Sequence, residues 1–303
     1  MFSESDNQIV RTAQWQQLAS GSSNKIYSAW VGQQRYVLRI NASTEYAFGV
    51  CREREAKVLA LIQGQPWAPT IVENNTAQGW CLMLHQGSHY IDSASAKIHM
   101  LTLLGNMQLF SGELERAATD SIAFDYRGLF SSYIEKLSPS QGNDLALQLC
   151  RLLHRSLDKL PAVETALVHQ DLHPKNVCCT VLASPATELS VADTAVPSSQ
   201  LVAIDWEYGG WGNPWLDLAA VHTAFAIDVD SLHRLPLFAA MSPKHFSVGL
   251  HMSVQINTAL ACIWYWLRSE LPVKNAIEQA DQQGFGNRSQ LQAQARACIK
   301  ALA

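Results

Sequence analysis

Two aspartates and an asparagine set the chemical question. Asp171 and Asn176 sit in the run His169-Gln170-Asp171-Leu172-His173-Pro174-Lys175-Asn176, and Asp205 follows the apolar run Val202-Ala203-Ile204. Phosphoryl transfer from ATP needs a carboxylate that orients an acceptor hydroxyl and takes its proton. It also needs oxygen ligands for the Mg²⁺ that bridges the phosphates. A loop aspartate, an asparagine shortly after it and a second aspartate behind a strand supply that set. A lone Asp-Leu-His-Pro turn would say little, since such turns are common in loops. The information lies in the order of the three.

Other reactive types nearby have plainer readings. His169 and His173 lack a Cys or His pair at zinc spacing, which leaves them to loop packing or to a substrate. Cys178 and Cys179 are neighbours on an apolar run, where successive side chains face opposite sides of a sheet, and read as small core fillers. Seven cysteines without a C-x-x-C pair fit reduced thiols in a cytoplasmic protein. Trp206, Tyr208, Trp211, Trp215, Trp264, Tyr265 and Trp266 read first as core aromatics. A cage of ring faces for a cationic alcohol is the functional alternative.

The elements that must hold these residues follow from pattern. Residues 27–31 and 35–40 are β-favouring runs around a Gly32-Gln33-Gln34 turn, and residues 51–62 have helical spacing that stops at Gly64 and Pro66. Residues 70–72 and 79–84 are two further strands, ending at Gly87. Beyond that the pattern is mainly helical: Leu145, Leu149, Leu152, Leu153 and Leu157 form one stripe. Two strands, 177–182 and 201–204, flank a Ser/Ala/Thr/Pro-rich loop at 183–200. The apolar run 258–267 is about half the ~20 residues of a membrane span and reads as a buried helix.

With these residues in place the sequence resembles the aminoglycoside phosphotransferase and choline kinase superfamily. The resemblance rests on the H-x-D-x-x-x-x-N run from His169 to Asn176, on Ile204-Asp205-Trp206-Glu207-Tyr208, and on Asp217-Leu218-Ala219. It implies an α+β, protein-kinase-like two-lobed fold, with a small β-rich N-lobe (1–86) for the nucleotide and a larger, mainly helical C-lobe (87–303) for catalysis and the acceptor. Carried over residue by residue, Asp171 is the catalytic base, His169 orients its loop, Asn176 and Asp205 hold Mg²⁺, and Asp217 fixes the catalytic loop. Ser22, Ser23 and Asn24 fall where the family covers the phosphates. Arg39 stands where a nucleotide-contacting Lys is usual, with Glu55 or, in the other register, Glu53 as its partner. Leu84 and Gln86 lie on the hinge that would bind adenine. Glu207 and Trp264 are the residues expected at the acceptor.

The implied reaction is ATP- and Mg²⁺-dependent transfer to a hydroxyl of a small, cationic metabolite of the choline, ethanolamine or thiamine class. An aminoglycoside acceptor and a catalytically silent nucleotide-binding protein are the alternatives. Composition agrees with a folded protein: 48% of the 303 residues are hydrophobic and 16% charged. A net charge of −4 shows no basic excess for nucleic acid. The acidic, polar start lacks the basic, apolar pattern of a signal peptide, so neither nucleic acid nor membrane is expected as a partner.

Overall fold

The computed structural model of the chain describes residues 7–20, 24–43, 45–137, 142–181, 199–271 and 287–303. Helix α1 (Gln8–Thr12) leads into five strands, β1 (Gln16–Ser20), β2 (Asn24–Val31), β3 (Gln34–Asn41), β4 (Ile71–Asn75) and β5 (Trp80–Leu84). They form one antiparallel sheet in the order β1-β2-β3-β5-β4. Helix α2 (Arg52–Ile62) connects β3 to β4. Alternation along β3 decides what each face does. Leu38 joins Val10, Trp80 and Leu82 in a small core that α1 covers, so Arg39 points to the opposite face, toward α2 and the cleft.

The chain leaves this sheet through residues 84–87. Gly87 has a φ of 93°, and a Cβ there would overlap the Cys179 carbonyl. Only glycine fits so close a crossing. Thr180 Oγ1 donates to the Gln86 carbonyl at 2.7 Å and fastens the hinge from below.

The rest is built of helices α3 (Ala94–Gly112), α4 (Arg116–Ser121), α5 (Tyr126–Leu137), α6 (Asp144–Leu157), α7 (Pro214–Phe225), α8 (Val229–His233), α9 (Pro243–Ser269) and α10 (Arg288–Leu302). Their buried faces merge with Val58, Leu59 and Ile62 of α2 into the main hydrophobic core. The apolar run at 258–267 belongs to a 27-residue helix, α9. By length and composition alone α9 would suffice to cross a membrane, which corrects the estimate from the shorter run. In this fold Phe246, Leu250, Ile256, Ile263 and Trp266 of α9 are buried in the core.

Two small sheets interrupt the helices where the sequence pattern shows only two strands. One pairs β6 (Ser88–His89), β8 (Val177–Val181) and β9 (Ser199–Ala203) in the order β6-β8-β9; the other pairs β7 (Ala166–Val168) with β10 (Gly210–Gly212). Strands of two or three residues are too short to show alternation in sequence. Most of the loop expected at 183–200 lies outside the described residues, while Ser199 and Gln200 belong to β9.

Candidate active site

Register brings the three candidate chemical residues together. In the β8–β9 hairpin Val177 pairs with Ala203, so the residues just outside, Asn176 and Ile204, are adjacent, and Ile204 N donates to the Asn176 carbonyl at 2.9 Å. Asp205 is the next residue. Asn176 closes a single 3₁₀ turn (Pro174–Asn176) that folds back on Asp171: its Nδ2 donates to the Asp171 carbonyl at 3.0 Å and to Asp171 Oδ2 at 2.9 Å. The Asp171 side chain stays 40% exposed, with His173 Nε2 at 3.6 Å from Oδ2.

The loop that carries Asp171 is held from beneath by Asp217, on the first turn of α7. Its two oxygens accept from the backbone N–H of His169 at 2.7 Å and of Gln170 at 2.6 Å. Burial pushes the Asp217 carboxyl up, against the pull of His169 and of the two N–H donors. His169 is fully buried, and burial lowers its pKa. Its Nε2 lies 2.9 Å from the Ile204 carbonyl and its Nδ1 accepts from Asp171 N at 3.3 Å, which fits the neutral tautomer protonated on Nε2. The ring rests 4.6 Å from Trp206. His169 therefore aligns two loops and has no open face for a substrate.

Two non-glycine residues here adopt left-handed backbone, Gln170 at φ 65° and Asp205 at φ 62°. Such conformations persist only where surrounding bonds over-determine them. Asp217, and the bond from Gln170 Nε2 to the Tyr208 carbonyl at 2.9 Å, do so for the first. For the second, Arg39 Nη1 holds Asp205 Oδ1 at 2.9 Å.

Arg39 anchors the other half of the site. Its Nη2 lies 2.6 Å from Glu55 Oε1, as an ion pair rather than an aligned hydrogen bond, and its Nε donates to Asn41 Oδ1 at 3.0 Å. The partner is Glu55 and not Glu53, which accepts from the Cys51 thiol at the surface. Burial opposes the Arg39 charge, but Glu55 and then Asp205 more than offset it, and the guanidinium is held more firmly protonated than in water.

Arg52, which the sequence reading passed over, binds three groups at once: Glu55 Oε2 at 2.9 Å, Glu207 Oε2 at 3.1 Å and Asn24 Oδ1 at 3.1 Å. Asn24 Nδ2 in turn donates to Glu207 Oε2 at 2.9 Å, and its Oδ1 accepts from Ala42 N. Glu207 is thus buried and its carboxylate committed within the protein, where an acceptor-facing position had been expected. Asn24 is likewise turned inward, and Ser22 and Ser23 lie outside the described residues. At the hinge, Gln86 Nε2 donates to the Leu84 carbonyl at 3.0 Å.

Two guanidinium groups, Arg39 and Arg52, thus face the carboxylates of Glu55, Asp205 and Glu207, with Asp171 nearby. Burial, and then repulsion from Asp205, push Glu207 up to about 7 despite Arg52. Burial also raises Asp205, against the pull of Arg39. A donor set with surplus carboxylate in a buried cleft favours a divalent cation. Arg39 occupies Asp205 Oδ1, leaving Oδ2, with the Asn176 amide oxygen, as the oxygen donors that fit one. No cluster of three or more His, Cys, Asp or Glu converges as a metal cage among the described residues.

Of the aromatics, Trp206, Trp215 and Trp266 are fully buried core residues with indole N–H groups bonded to Ala203 O, Pro161 O and Asn143 Oδ1. Tyr208 and Trp264 differ. Both are half-buried; Trp264 Nε1 donates to Tyr208 Oη at 3.2 Å, and Tyr208 Oη donates to the Phe48 carbonyl at 3.0 Å. Gly49, at φ 78°, lets this segment settle against Leu129, Tyr133 and Tyr208. Trp264 therefore stands one residue contact from Gln170 and the loop of Asp171.

Comparison with known proteins agrees with this architecture. The choline kinase LicA from Streptococcus pneumoniae superposes with a TM-score of 0.63 at 16% identity, over 97% of this chain and 96% of that one. A choline/ethanolamine kinase family protein from Mesorhizobium loti gives 0.61 at 14% identity, over 96% and 92%. A spectinomycin phosphotransferase, in complex with ADP and spectinomycin, gives 0.52 at 9% identity, over 96% and 92%. LicA is also known in complex with AMP. No curated protein sequence matches this one. These likenesses establish the fold, a small antiparallel sheet lobe joined to a helical lobe as in kinases of this type. The model of the phosphotransferase enzyme family matches residues 14–186, more than half of the sequence and the stretch that contains Arg39, Glu55, Asp171 and Asn176. The chain belongs to the phosphotransferase enzyme family.

Proposed function

We propose that this phosphotransferase moves the terminal phosphoryl group of ATP to a hydroxyl of a small cationic metabolite. The observation that carries the reading is Asp171: a carboxylate still 40% exposed, held by Asn176 on one oxygen, in a loop whose backbone Asp217 clamps. In that position Asp171 accepts the proton of the acceptor hydroxyl as it attacks. Asp205 and Asn176 would hold Mg²⁺, which supplies neutralisation and alignment of the phosphate oxygens when bound. Arg39 and Glu55 fix the floor of the nucleotide site, and Leu84 and Gln86 offer backbone groups to the adenine. On this reading residues 1–86 form the nucleotide-binding lobe and 87–303 the catalytic and acceptor lobe. The free thiols suit a cytoplasmic enzyme.

Nucleotide use is supported by the AMP and ADP complexes of the structural relatives. For the acceptor, the half-buried Tyr208 and Trp264 beside the catalytic loop offer ring faces to a cation. With Glu207 committed to Arg52 and Asn24, we assign cation recognition to these rings. Choline, ethanolamine and thiamine share the required ammonium or cationic ring and a hydroxyl; aminoglycosides are the second reading, favoured by the spectinomycin enzyme among the relatives. The test is ATP consumption against a panel of amino alcohols, thiamine, amino sugars and aminoglycosides, with and without Mg²⁺. Turnover with one cationic alcohol, dependent on Mg²⁺, is expected. Stabilisation by nucleotide without turnover on any acceptor would replace this reading with a silent binding protein.

A further inference from the structure

Away from the cleft, helices α5 and α6 border a half-open cavity of about 180 Å³, with Arg127, Ser131, Arg151 and Arg155 exposed around it. Its wall carries Arg127 of α5 and Arg151, His154 and Arg155 of α6, together with Ser131 and Phe130. Arg151 and Arg155 are one turn apart, at i and i+4, so their guanidinium groups reach the same side of the helix. Among the described residues no carboxylate comes within ion-pair distance of Arg127, Arg151 or Arg155. His154 lies in the same wall. Its Nε2 is closed off from solvent and has no hydrogen-bond partner among the described residues, although the ring packs 6.2 Å from Phe130.

His154 Nε2 itself, shut off even from water, is not offered to a ligand; the ring serves as a reporter on the wall it belongs to. Cys150, the remaining sulfur in the wall, brings no competing negative charge: burial pushes its thiol up to about 12, so it stays neutral. A volume near 180 Å³ holds roughly six waters at about 30 Å³ each, enough for one tetrahedral oxyanion with part of its hydration. Guanidinium forks match such an ion better than any other side chain does.

We infer that the cavity between α5 and α6 is a binding site for a phosphate-class oxyanion, either inorganic phosphate or the phosphoryl end of a phosphorylated metabolite. Its three arginines supply charge, and Ser131 supplies a hydroxyl donor. None of these residues belongs to the cleft network, so the site stands apart from the phosphotransfer reading.

The experiment is an NMR titration of the full chain that follows the His154 imidazole resonances, with inorganic phosphate and then glycerol phosphate as probes. Sodium chloride at matched ionic strength is the control. A saturable shift with phosphate and none with chloride is expected. In Arg151→Gln/Arg155→Gln, affinity should fall about ten-fold or more, as loss of charge-assisted bonds implies, with an unchanged melting temperature. Arg127→Gln, on the other helix, should weaken binding independently. Tighter binding of either probe supports the site and identifies the source of its ligand. A His154 response equal to that of chloride, or one indifferent to the arginine substitutions, overturns it.

Discussion

The two halves of the cleft solve the problem of charge in opposite ways. On the sheet side, Arg39, Glu55 and Glu207 are buried, and with the partly buried Arg52 they bind one another through ion pairs of 2.6 to 3.1 Å. On the catalytic-loop side, Asp171 remains partly in water and is positioned by neutral donors and backbone, with its clamp, Asp217, one layer below. Buried pairs are costly to break because removing one partner strands the other, whereas a half-exposed carboxylate can be neutralised at little structural cost. The first half should therefore report its mutations as lost stability and the second as lost chemistry.

The largest expected effect tests the second half. Asp171→Asn keeps the shape and the bond to Asn176 while removing the carboxylate proposed as the base, and turnover should fall by about 10²–10⁴ with the melting temperature unchanged. A stability loss comparable to the rate loss would erase the distinction between the halves. Glu55→Ala tests the first half: it leaves Arg39 buried without its closest counter-charge, and chemical denaturation should show a loss of about 3–5 kcal/mol. If denaturation midpoints stay put, the network is solvated in solution and the contrast fails.

Asp217→Asn sits at the boundary and sharpens it. One of the two backbone N–H groups loses its acceptor, at a cost of about 1–3 kcal/mol, and turnover should drop as well because the freed turn carries Asp171. A drop in turnover without any change in unfolding would mean that Asp217 acts on substrate. Smallest is Trp264→Phe, which cuts the bond to Tyr208 Oη and should raise the acceptor KM by an amount worth about 0.5–1.5 kcal/mol, leaving the KM for ATP alone. Equal changes in both constants would assign Trp264 to packing.

What could be read from the sequence divides along the same line. Asp171, Asn176 and Asp205 stood out by their order on a loop and behind a strand, and Asp217 through the family resemblance of Asp217-Leu218-Ala219; the structure brings Asp171, Asn176 and Asp217 together around one loop. Arg39 came from the family resemblance, with Glu55 or Glu53 as its partner, and the buried face of α2 decides for Glu55. Arg52 was not legible: an arginine at the start of a helix looks solvated, and its partners Asn24 and Glu207 lie 28 and 155 residues away. Glu207 was misplaced for a physical reason. Two residues after Asp205 on a regular strand it would share the same face, but the left-handed backbone at Asp205 breaks that alternation and turns Glu207 inward. Inward-facing Asn24 was hidden similarly, since a polar residue beside serines and glycine reads as loop until β2 is seen to begin there.

The left-handed turn at Gln170 has a consequence for how such a protein changes over generations. A side chain in that conformation costs about 1–2 kcal/mol relative to glycine, and here it is retained with its amide aimed at the Tyr208 carbonyl. Gln170→Gly would relieve the crowding and release the aim in one step. A lineage selected only to survive heat would drift toward glycine at this position, while one selected for turnover would keep a residue that makes the fold slightly worse.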